Sequence, residues 1–237
     1  IGFGPEHDAR TADLAQPHPA QRLLQGDVGS GKTVIAALAM LQAVESGYQA
    51  ALMAPTEILA EQHYRKLQAW LAPLGIEVAW LSGSLKKRDK AATIEAIVSG
   101  RAPLAVGTHA LIEAGVDFAR LGLAIVDEQH RFGVRQRLAL KQKGHDAYVA
   151  EDDASSGLDA PGAPPLGAAS LSAHQLTMSA TPIPRTLAMS YYADLDVSVI
   201  DELPPGRRGV VTRLASSGRR TEVLARIRAA CAEGQQA

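Results

Sequence analysis

The sequence predicts an α/β fold with a mainly parallel β-sheet that carries helices on both faces. Two observations lead to this prediction: short apolar runs alternate with helical patterns, and glycine or proline follows the helical patterns as a stop signal. The chain has 237 residues, of which 46% are hydrophobic, so it can bury a sizeable core. The single cysteine, Cys231, excludes a disulfide-based scaffold and is typical of a reducing compartment, so we expect a cytoplasmic protein.

Seven apolar runs predict the strands of the sheet. They lie at residues 22–25, 50–53, 77–81, 104–107, 121–126, 175–179 and 195–200. Helical patterns lie between them, at residues 32–46, 56–71, 87–99, 134–142 and 184–192. The first three helices have clear stop signals, which are Ser46 with Gly47, Pro73 with Gly75, and Ser99 with Gly100.

Composition divides the chain into regions. We predict the main domain over residues 20–202, after an N-terminal remnant or linker at residues 1–19. A linker that contains Pro-Pro-Gly follows at residues 203–209. Residues 144–174 are rich in Ala, Gly, Pro, Ser and Asp and poor in bulky apolar side chains. Such a segment cannot bury enough surface to offset the entropy of ordering, so we expect a flexible insertion there.

The end of the chain predicts one more strand, at residues 210–214, and a helix at residues 219–232. We expect residues 210–237 to be the truncated start of a second domain. Because the chain begins with Ile1 rather than Met, we expect it to be a piece of a longer protein. No stretch has the length of a membrane span and no signal peptide opens the chain, so no membrane partner is expected.

Residues 26–33 read Gly-Asp-Val-Gly-Ser-Gly-Lys-Thr and fit the phosphate-binding pattern G-x-x-x-x-G-K-[ST]. The glycines let backbone amides turn toward phosphate oxygens, Lys32 reaches the β and γ phosphates, and Thr33 offers its hydroxyl to Mg²⁺. A chance match in a glycine-rich loop is the alternative, but this one follows an apolar strand and opens a helical pattern. The predicted ATP-binding residues are Gly26, Asp27, Val28, Gly29, Ser30, Gly31, Lys32 and Thr33.

A pair of carboxylates follows the continuous apolar run at residues 121–126, which is typical of a central parallel strand. We predict that Asp127 binds Mg²⁺ together with Thr33 and that Glu128 orients the attacking water. A solvated acidic turn after a core strand is the alternative, which the phosphate-binding loop upstream disfavours. The sequence thus predicts ATP and Mg²⁺ as cofactors and Lys32, Asp127 and Glu128 as the catalytic residues.

Small, polar or charged residues follow six successive strands. In open α/β sheets ligands bind beyond the carboxyl ends of the strands, so these residues predict one continuous functional edge. A single Ser or Thr in such a place is often only a helix N-cap, as Thr56 is expected to be. The strand ends are residues 26–33, Ala54-Pro55-Thr56-Glu57, Ser82-Gly83-Ser84, Gly107-Thr108-His109, Asp127-Glu128-Gln129-His130 and Ser179-Ala180-Thr181-Pro182.

The net charge of −1 indicates no particular partner, but basic residues cluster at residues 86–88, 131–143 and 207–208. Such clusters are usually solvated surface. Beside an ATP site they are candidate contacts to a nucleic-acid backbone. Aromatic residues make up only 4% of the chain, which argues against a base-stacking platform for single strands.

With these motifs in order, the chain resembles the superfamily 2 DNA helicases, and among them the RecG branch-migration helicases. The matching segments are RLLQGDVGSGKT, ALMAPTEILAEQH, VGTHALI, LAIVDEQHRFGVRQR, MSATPIPRTLAM and DELPPGR, which cover residues 20 to 208. The motor of Mfd-type translocases is similar too, but its acidic box reads DEEH, so Gln129 favours RecG. PriA-type helicases are a more distant alternative. The family's adenine-reading glutamine segment is not recognisable before the phosphate-binding loop.

The resemblance implies a RecA-like P-loop NTPase fold and further roles at the strand ends. Gln129, His130, Ser179 and Thr181 would couple nucleotide state to the grip on DNA, although a histidine in the place of His130 often makes only a structural hydrogen bond. The residues that would contact DNA phosphates are Thr56, Thr108 and His109.

The resemblance also implies the function: an ATP-driven monomeric motor that acts on branched or forked DNA in recombination and repair, by fork reversal and branch migration. The family's second motor domain, with its arginine fingers, and its wedge domain are missing, so we expect this chain alone to be nearly inactive. The alternatives are an Mfd-like double-stranded DNA translocase, a P-loop kinase and a nucleotide-dependent binding module that does not hydrolyse ATP.

Overall fold

The computed structural model describes residues 19–128, 132, 140, 143, 173–181, 196–201 and 214–234. The chain divides into two compact units, Ile1–Pro204 and Pro205–Ala237. This division lies inside the predicted linker at residues 203–209. No helix in the described ranges is long and apolar enough to cross a membrane.

The first unit contains one seven-stranded sheet in which every pairing is parallel. Its strands are β1 (Gln21–Gly26), β2 (Gln49–Met53), β3 (Val78–Leu81), β4 (Leu104–Gly107), β5 (Leu121–Asp127), β6 (His174–Ser179) and β7 (Asp196–Ile200). Their order across the sheet is β3-β4-β2-β5-β6-β1-β7. The helices of this unit are α1 (Lys32–Glu45), α2 (Glu57–Leu71) and α3 (Lys87–Val98), with short 3₁₀ turns at Ala72–Leu74 and His109–Ile112.

All seven predicted strands and the first three predicted helices are confirmed, each within one residue at either end. The reason is local: apolar runs form the buried strands, and each helical pattern stops at a turn signal. The predicted helices at residues 134–142 and 184–192 lie outside the described residues, apart from Leu140, which is helical and buried.

Helices cover both faces of the sheet, as predicted. Alternate side chains of β2 point to opposite faces, so Ala50 and Leu52 pack in one apolar cluster and Ala51 and Met53 in the other. The first cluster also contains residues of α1 and α2, and the second contains residues of α3. Burial on both faces explains why the central strands read as continuous apolar runs.

A buried polar side chain fastens the beginning of β2 to its surroundings. The Gln49 Nε2 atom donates hydrogen bonds to the carbonyl oxygens of Ile97 at 2.9 Å and Ala102 at 3.0 Å. Its Oε1 atom accepts a hydrogen bond from the Arg120 backbone amide at 3.0 Å. The partners lie at the end of α3 and just before β4 and β5, so one buried side chain ties the start of β2 to the backbone of three neighbouring segments.

The predicted insertion at residues 144–174 extends too far at its C-terminal end. Ala173 is only 2% exposed and belongs to the core, and His174 is the first residue of β6. The Ala20 amide also donates to His174 Nδ1 at 3.1 Å. Composition alone could not place this boundary, because a small residue such as alanine suits both a linker and a tightly packed strand edge. Residues 144–172 lie outside the described residues.

The second unit is described over residues 214–234. It has a 3₁₀ turn at Ser217–Arg219 and a helix, α4 (Arg220–Ala232), which confirms the helix predicted at residues 219–232. Of the strand predicted at residues 210–214, only Leu214 is described, and it lies in no strand.

Candidate functional site

The strand order brings the P-loop and the acidic pair to the same part of the sheet edge. Strand β6 lies between β1, which leads into the P-loop, and β5, which ends in Asp127. Gln25 pairs with Ser179 across one side of β6, and Asp127 pairs with Met178 across the other. Since all three strands are parallel, their carboxyl ends meet at one edge, where α/β proteins bind ligands.

Two glycines show why the P-loop requires this residue type. Gly31 has φ +99°, a backbone conformation that residues other than glycine rarely adopt. A Cβ atom on Gly26 would lie 2.5 Å from Ser30 Oγ and 3.1 Å from Ile200 Cβ, so a side chain there would have to displace the Ser30 hydroxyl and would crowd Ile200. The loop also contains a tight turn, in which the Ser30 amide donates to the Asp27 carbonyl at 3.1 Å.

Helices α1 and α2 both begin at this edge, but their first turns differ. The Thr56 hydroxyl caps α2 by accepting from the Leu59 amide at 3.3 Å, as predicted, and Glu57 adds a negative charge to the first turn. Helix α1 follows Gly31 and has neither a side-chain cap nor an acidic residue in its first turn. Its positive end therefore lacks an anionic side chain of its own and suits a phosphate group.

The Lys32 ammonium, one of the predicted catalytic groups, is held by the backbone of its own loop. It donates to the carbonyl oxygens of Gly26 at 2.6 Å and Asp27 at 2.9 Å. Partial burial lowers the pKa of Lys32. The negative charges of Asp127, Glu128 and Asp27 oppose this shift. The structure thus brings the P-loop cation into the field of both acidic residues, which are about a hundred positions away in the sequence.

Asp127 is a buried residue whose side chain is 10% exposed, and protein groups bind both of its carboxylate oxygens. Its Oδ2 atom lies 2.7 Å from His63 Nε2, and its Oδ1 atom accepts from the Glu128 amide at 3.0 Å. His63 is not among the site residues predicted from the sequence. Its position in α2, three residues after Ala60 and four before Leu67, was the available signal, because it places a polar side chain on the apolar face of the helix.

Glu128 has φ +51° and is the one non-glycine residue with positive φ in the described part of the chain. A side chain in this left-handed region costs about 1 kcal/mol or more, so the surroundings must hold it there. The Glu128 amide does so by donating to the Met178 carbonyl at 3.0 Å, across the end of β6. The strain thus lies at the residue for which the sequence predicts the water-orienting role.

The predicted coupling residues Ser179 and Thr181 are bonded to each other at the end of β6. Their hydroxyl oxygens are 2.9 Å apart, and the Thr181 amide donates to Ser179 Oγ at 3.2 Å. The other two, Gln129 and His130, lie outside the described residues. The coupling role of all four stays a prediction.

The residues predicted to contact DNA lie on the other half of the same edge. Thr56 follows β2 and Thr108 follows β4, whereas the nucleotide half is formed by β5, β6 and β1. Thr108 is 3% exposed, and its hydroxyl is buried without a partner among the described residues, so it does not face a phosphate in this conformation. The side chain of His109 is 59% exposed. The contacts to DNA also stay predictions.

The residues at the edge fit Mg²⁺. This ion prefers oxygen ligands and is usually held by one or two carboxylates, with water and substrate phosphates completing its shell. Asp127 provides a carboxylate that is already oriented by two hydrogen bonds, and Thr33 provides a hydroxyl in the first turn of α1.

Comparison with known proteins agrees with this geometry. The family model of the DEAD/DEAH box helicases matches residues 10–190. The chain belongs to this family. The match includes the P-loop, the acidic pair and Ser179 with Thr181, so it spans every strand end of the helicase domain that carries a predicted site residue.

Curated relatives confirm the resemblance to RecG. The chain is 51% identical over 219 residues to the ATP-dependent DNA helicase RecG of Haemophilus influenzae, a match that covers 92% of this chain and 28% of the relative. It is 53% identical over 226 residues to RecG of Escherichia coli K12, covering 95% of this chain and 29% of the relative. The chain thus spans less than a third of the length of these relatives.

Solved structures confirm the RecA-like helicase fold. A structure of RecG bound to a three-way DNA junction has a TM-score of 0.74 and 37% identity, and the match covers 100% of this chain and 29% of that one. The DUF1998 helicase MrfA bound to DNA has a TM-score of 0.57 at 17% identity and covers 84% of this chain, so it shares the fold.

Proposed function

We propose that this chain is the ATP-binding motor domain of a helicase that remodels branched or forked DNA, by fork reversal and branch migration in recombination and repair. One observation carries the enzymatic part: the parallel strands β1, β6 and β5 end at one edge, which brings the P-loop with Lys32 and the acidic pair Asp127 and Glu128 to the same place. The DNA part rests on the similarity to RecG helicases, one of which has been solved on a three-way junction.

The P-loop and the first turn of α1 bind the triphosphate in this mechanism. Gly26 to Thr33 surround the phosphates, and Lys32 exchanges its two carbonyl partners for oxygens of the β and γ phosphates. The positive end of α1 favours the same anion. The loop therefore uses its own carbonyl groups to keep the cation at the place where the phosphates arrive.

Hydrolysis needs a metal and an oriented water. Thr33 and Asp127 would hold Mg²⁺, which when bound neutralises charge on the β and γ phosphates. Glu128 accepts a hydrogen bond from the attacking water and orients it toward the γ phosphate. The hydrogen bond from the Glu128 amide to the Met178 carbonyl holds the backbone of this residue beside β6.

Coupling to DNA follows from the division of the edge into two halves. Gln129, His130, Ser179 and Thr181 report the nucleotide state, the last two from the end of β6. Thr56 and His109 contact the DNA backbone from the β2–β4 half. Thr108 would do so only in another conformation, because its hydroxyl is buried in this one. In this proposal a second motor domain completes the hydrolytic site, a wedge domain engages the branch, and the protein works as a cytoplasmic monomer.

Nucleotide binding and hydrolysis test the proposal in two steps. The 237-residue chain should bind a fluorescent ATP analogue more tightly with Mg²⁺ than with EDTA. Its phosphate release should stay low with or without forked DNA, because an arginine from a second motor domain is worth about 10³ to 10⁵ in rate. The native protein should hydrolyse ATP, and forked DNA at low salt should stimulate it. The proposal would be contradicted if nucleotide binding by the native protein did not depend on Mg²⁺, or if forked DNA did not stimulate its ATP hydrolysis.

A further inference from the structure

We propose that His63 is a positioning residue for the metal-binding carboxylate of Asp127. This inference rests on the proposed function, because it assigns to Asp127 the role of holding Mg²⁺. In this view α2 does more than cover the sheet: through His63 it fixes the orientation of a carboxylate that lies at the end of β5.

The geometry is that of a short hydrogen bond between two buried groups. His63 Nε2 lies 2.7 Å from Asp127 Oδ2, and the two residues are 6% and 7% exposed. A bond that water cannot reach is strong and holds one geometry. The Glu128 amide, which Oδ1 shares with the Met178 carbonyl, is the donor to the other oxygen. Each carboxylate oxygen thus has a protein donor, and the carboxylate plane is oriented before a metal binds.

The proton on the imidazole can be assigned from the chemistry of the pair. An ionised carboxylate only accepts hydrogen bonds, so Nε2 must carry the proton and donate it to Oδ2. The other ring nitrogen, Nδ1, is buried without a partner among the described residues. The bond from Nε2 to Asp127 is therefore the one polar contact of the imidazole in the described part of the chain. An apolar side chain could not make it, which indicates what histidine contributes here.

The place of His63 in α2 makes the support rigid. Ala60 and Leu67 lie on the same buried face as His63 and pack the helix onto the sheet. The N-terminus of α2 is capped by Thr56. When the group that orients a metal ligand is removed, the affinity of the site for the metal typically falls by about 10-fold to 100-fold. Loss of His63 should therefore weaken the metal rather than the phosphate contacts.

The test measures how nucleotide binding depends on Mg²⁺ in the native protein. A fluorescent ADP analogue is titrated in EDTA and at a series of Mg²⁺ concentrations, for the unsubstituted protein and for His63→Ala and His63→Gln. We expect His63→Ala to raise the Mg²⁺ concentration for half-maximal effect by about tenfold, with binding in EDTA unchanged. His63→Gln, whose amide can still donate to Asp127, should recover part of the loss.

Leu67→Ala is the matched control, because it removes a buried side chain one turn along α2 without touching Asp127. It should lower the melting temperature and leave the Mg²⁺ dependence unchanged. The inference is overturned if His63→Ala behaves like Leu67→Ala. If His63→Ala does not fold, His63→Gln and His63→Leu decide: equal Mg²⁺ dependence in the two would overturn the inference. An unsubstituted protein without Mg²⁺-dependent binding would instead overturn the proposed function, and this inference with it.

Discussion

The Nζ atom of Lys32 lies 2.6 Å from the carbonyl oxygen of Gly26, the residue that begins the same loop. A second carbonyl, that of Asp27, lies 2.9 Å away. The P-loop backbone thus binds the ammonium group of its own lysine. Because these carbonyl groups are neutral, phosphate oxygens attract the ammonium more strongly than they do.

Lys32→Ala should abolish hydrolysis and weaken nucleotide binding. The substitution removes the cation between the P-loop and the acidic pair, and loss of one such stabilising group costs about 10² to 10³ in kcat. Phosphate release and nucleotide titration of the native protein measure the two effects. Lys66→Ala is the control, since Lys66 is exposed on α2. Near-normal turnover in Lys32→Ala would mean that this loop is not the site of hydrolysis.

Glu128→Gln should trap ATP. Glutamine keeps the size of the side chain but loses the charge that orients the water, so kcat should fall by about 10² to 10⁴ while nucleotide affinity stays near its original value. Glu95→Gln, at an exposed position of α3, should change neither quantity. Equal loss of affinity and turnover in Glu128→Gln would show that Glu128 has a structural role.

Glu128→Gly should be more stable than Glu128→Gln by about 1 kcal/mol, because glycine adopts the positive φ of this position without strain. Both variants should be inactive in hydrolysis. Denaturant unfolding of this chain measures the difference. The same replacement within α3, Glu95→Gly, should destabilise by about 1 kcal/mol relative to Glu95→Gln, because glycine disfavours a helix interior. A Glu128→Gly variant that is less stable than Glu128→Gln would show that the backbone at this position is not strained.

Replacement of residues 144–172 by a short Gly-Ser linker should leave the melting temperature nearly unchanged, since their composition predicts a segment without a core of its own. A replacement that extends through residue 174 removes buried Ala173 and the His174 partner of the Ala20 amide. It should lower the melting temperature by about 2 to 8 °C, as the loss of about one or two kcal/mol does in a domain of this size. Equal melting temperatures of the two variants would place the start of the ordered strand after His174.

The amino-acid pattern was enough to predict the strands and helices of the described chain and to nominate the candidate site residues. Apolar runs and turn signals placed each strand within one residue, since these are local properties of the chain. The P-loop and the acidic pair could also be recognised from the sequence, because each is a short motif defined by residue type and spacing. The N-cap role of Thr56 belongs to the same group, since it concerns a contact three residues along the chain.

The order of the strands and the contacts between distant residues could be read only from the folded structure. The strand order places β6 between the P-loop strand and the acidic strand, and no local pattern encodes that order. The hydrogen bond from His63 to Asp127 joins residues 64 positions apart, and the burial of Thr108 depends on neighbours from other strands. Periodicity reports which side chains turn inward. The partners of these side chains depend on how strands and helices that are distant in the sequence pack together. No local pattern contains that information, because the packing depends on contacts throughout the core.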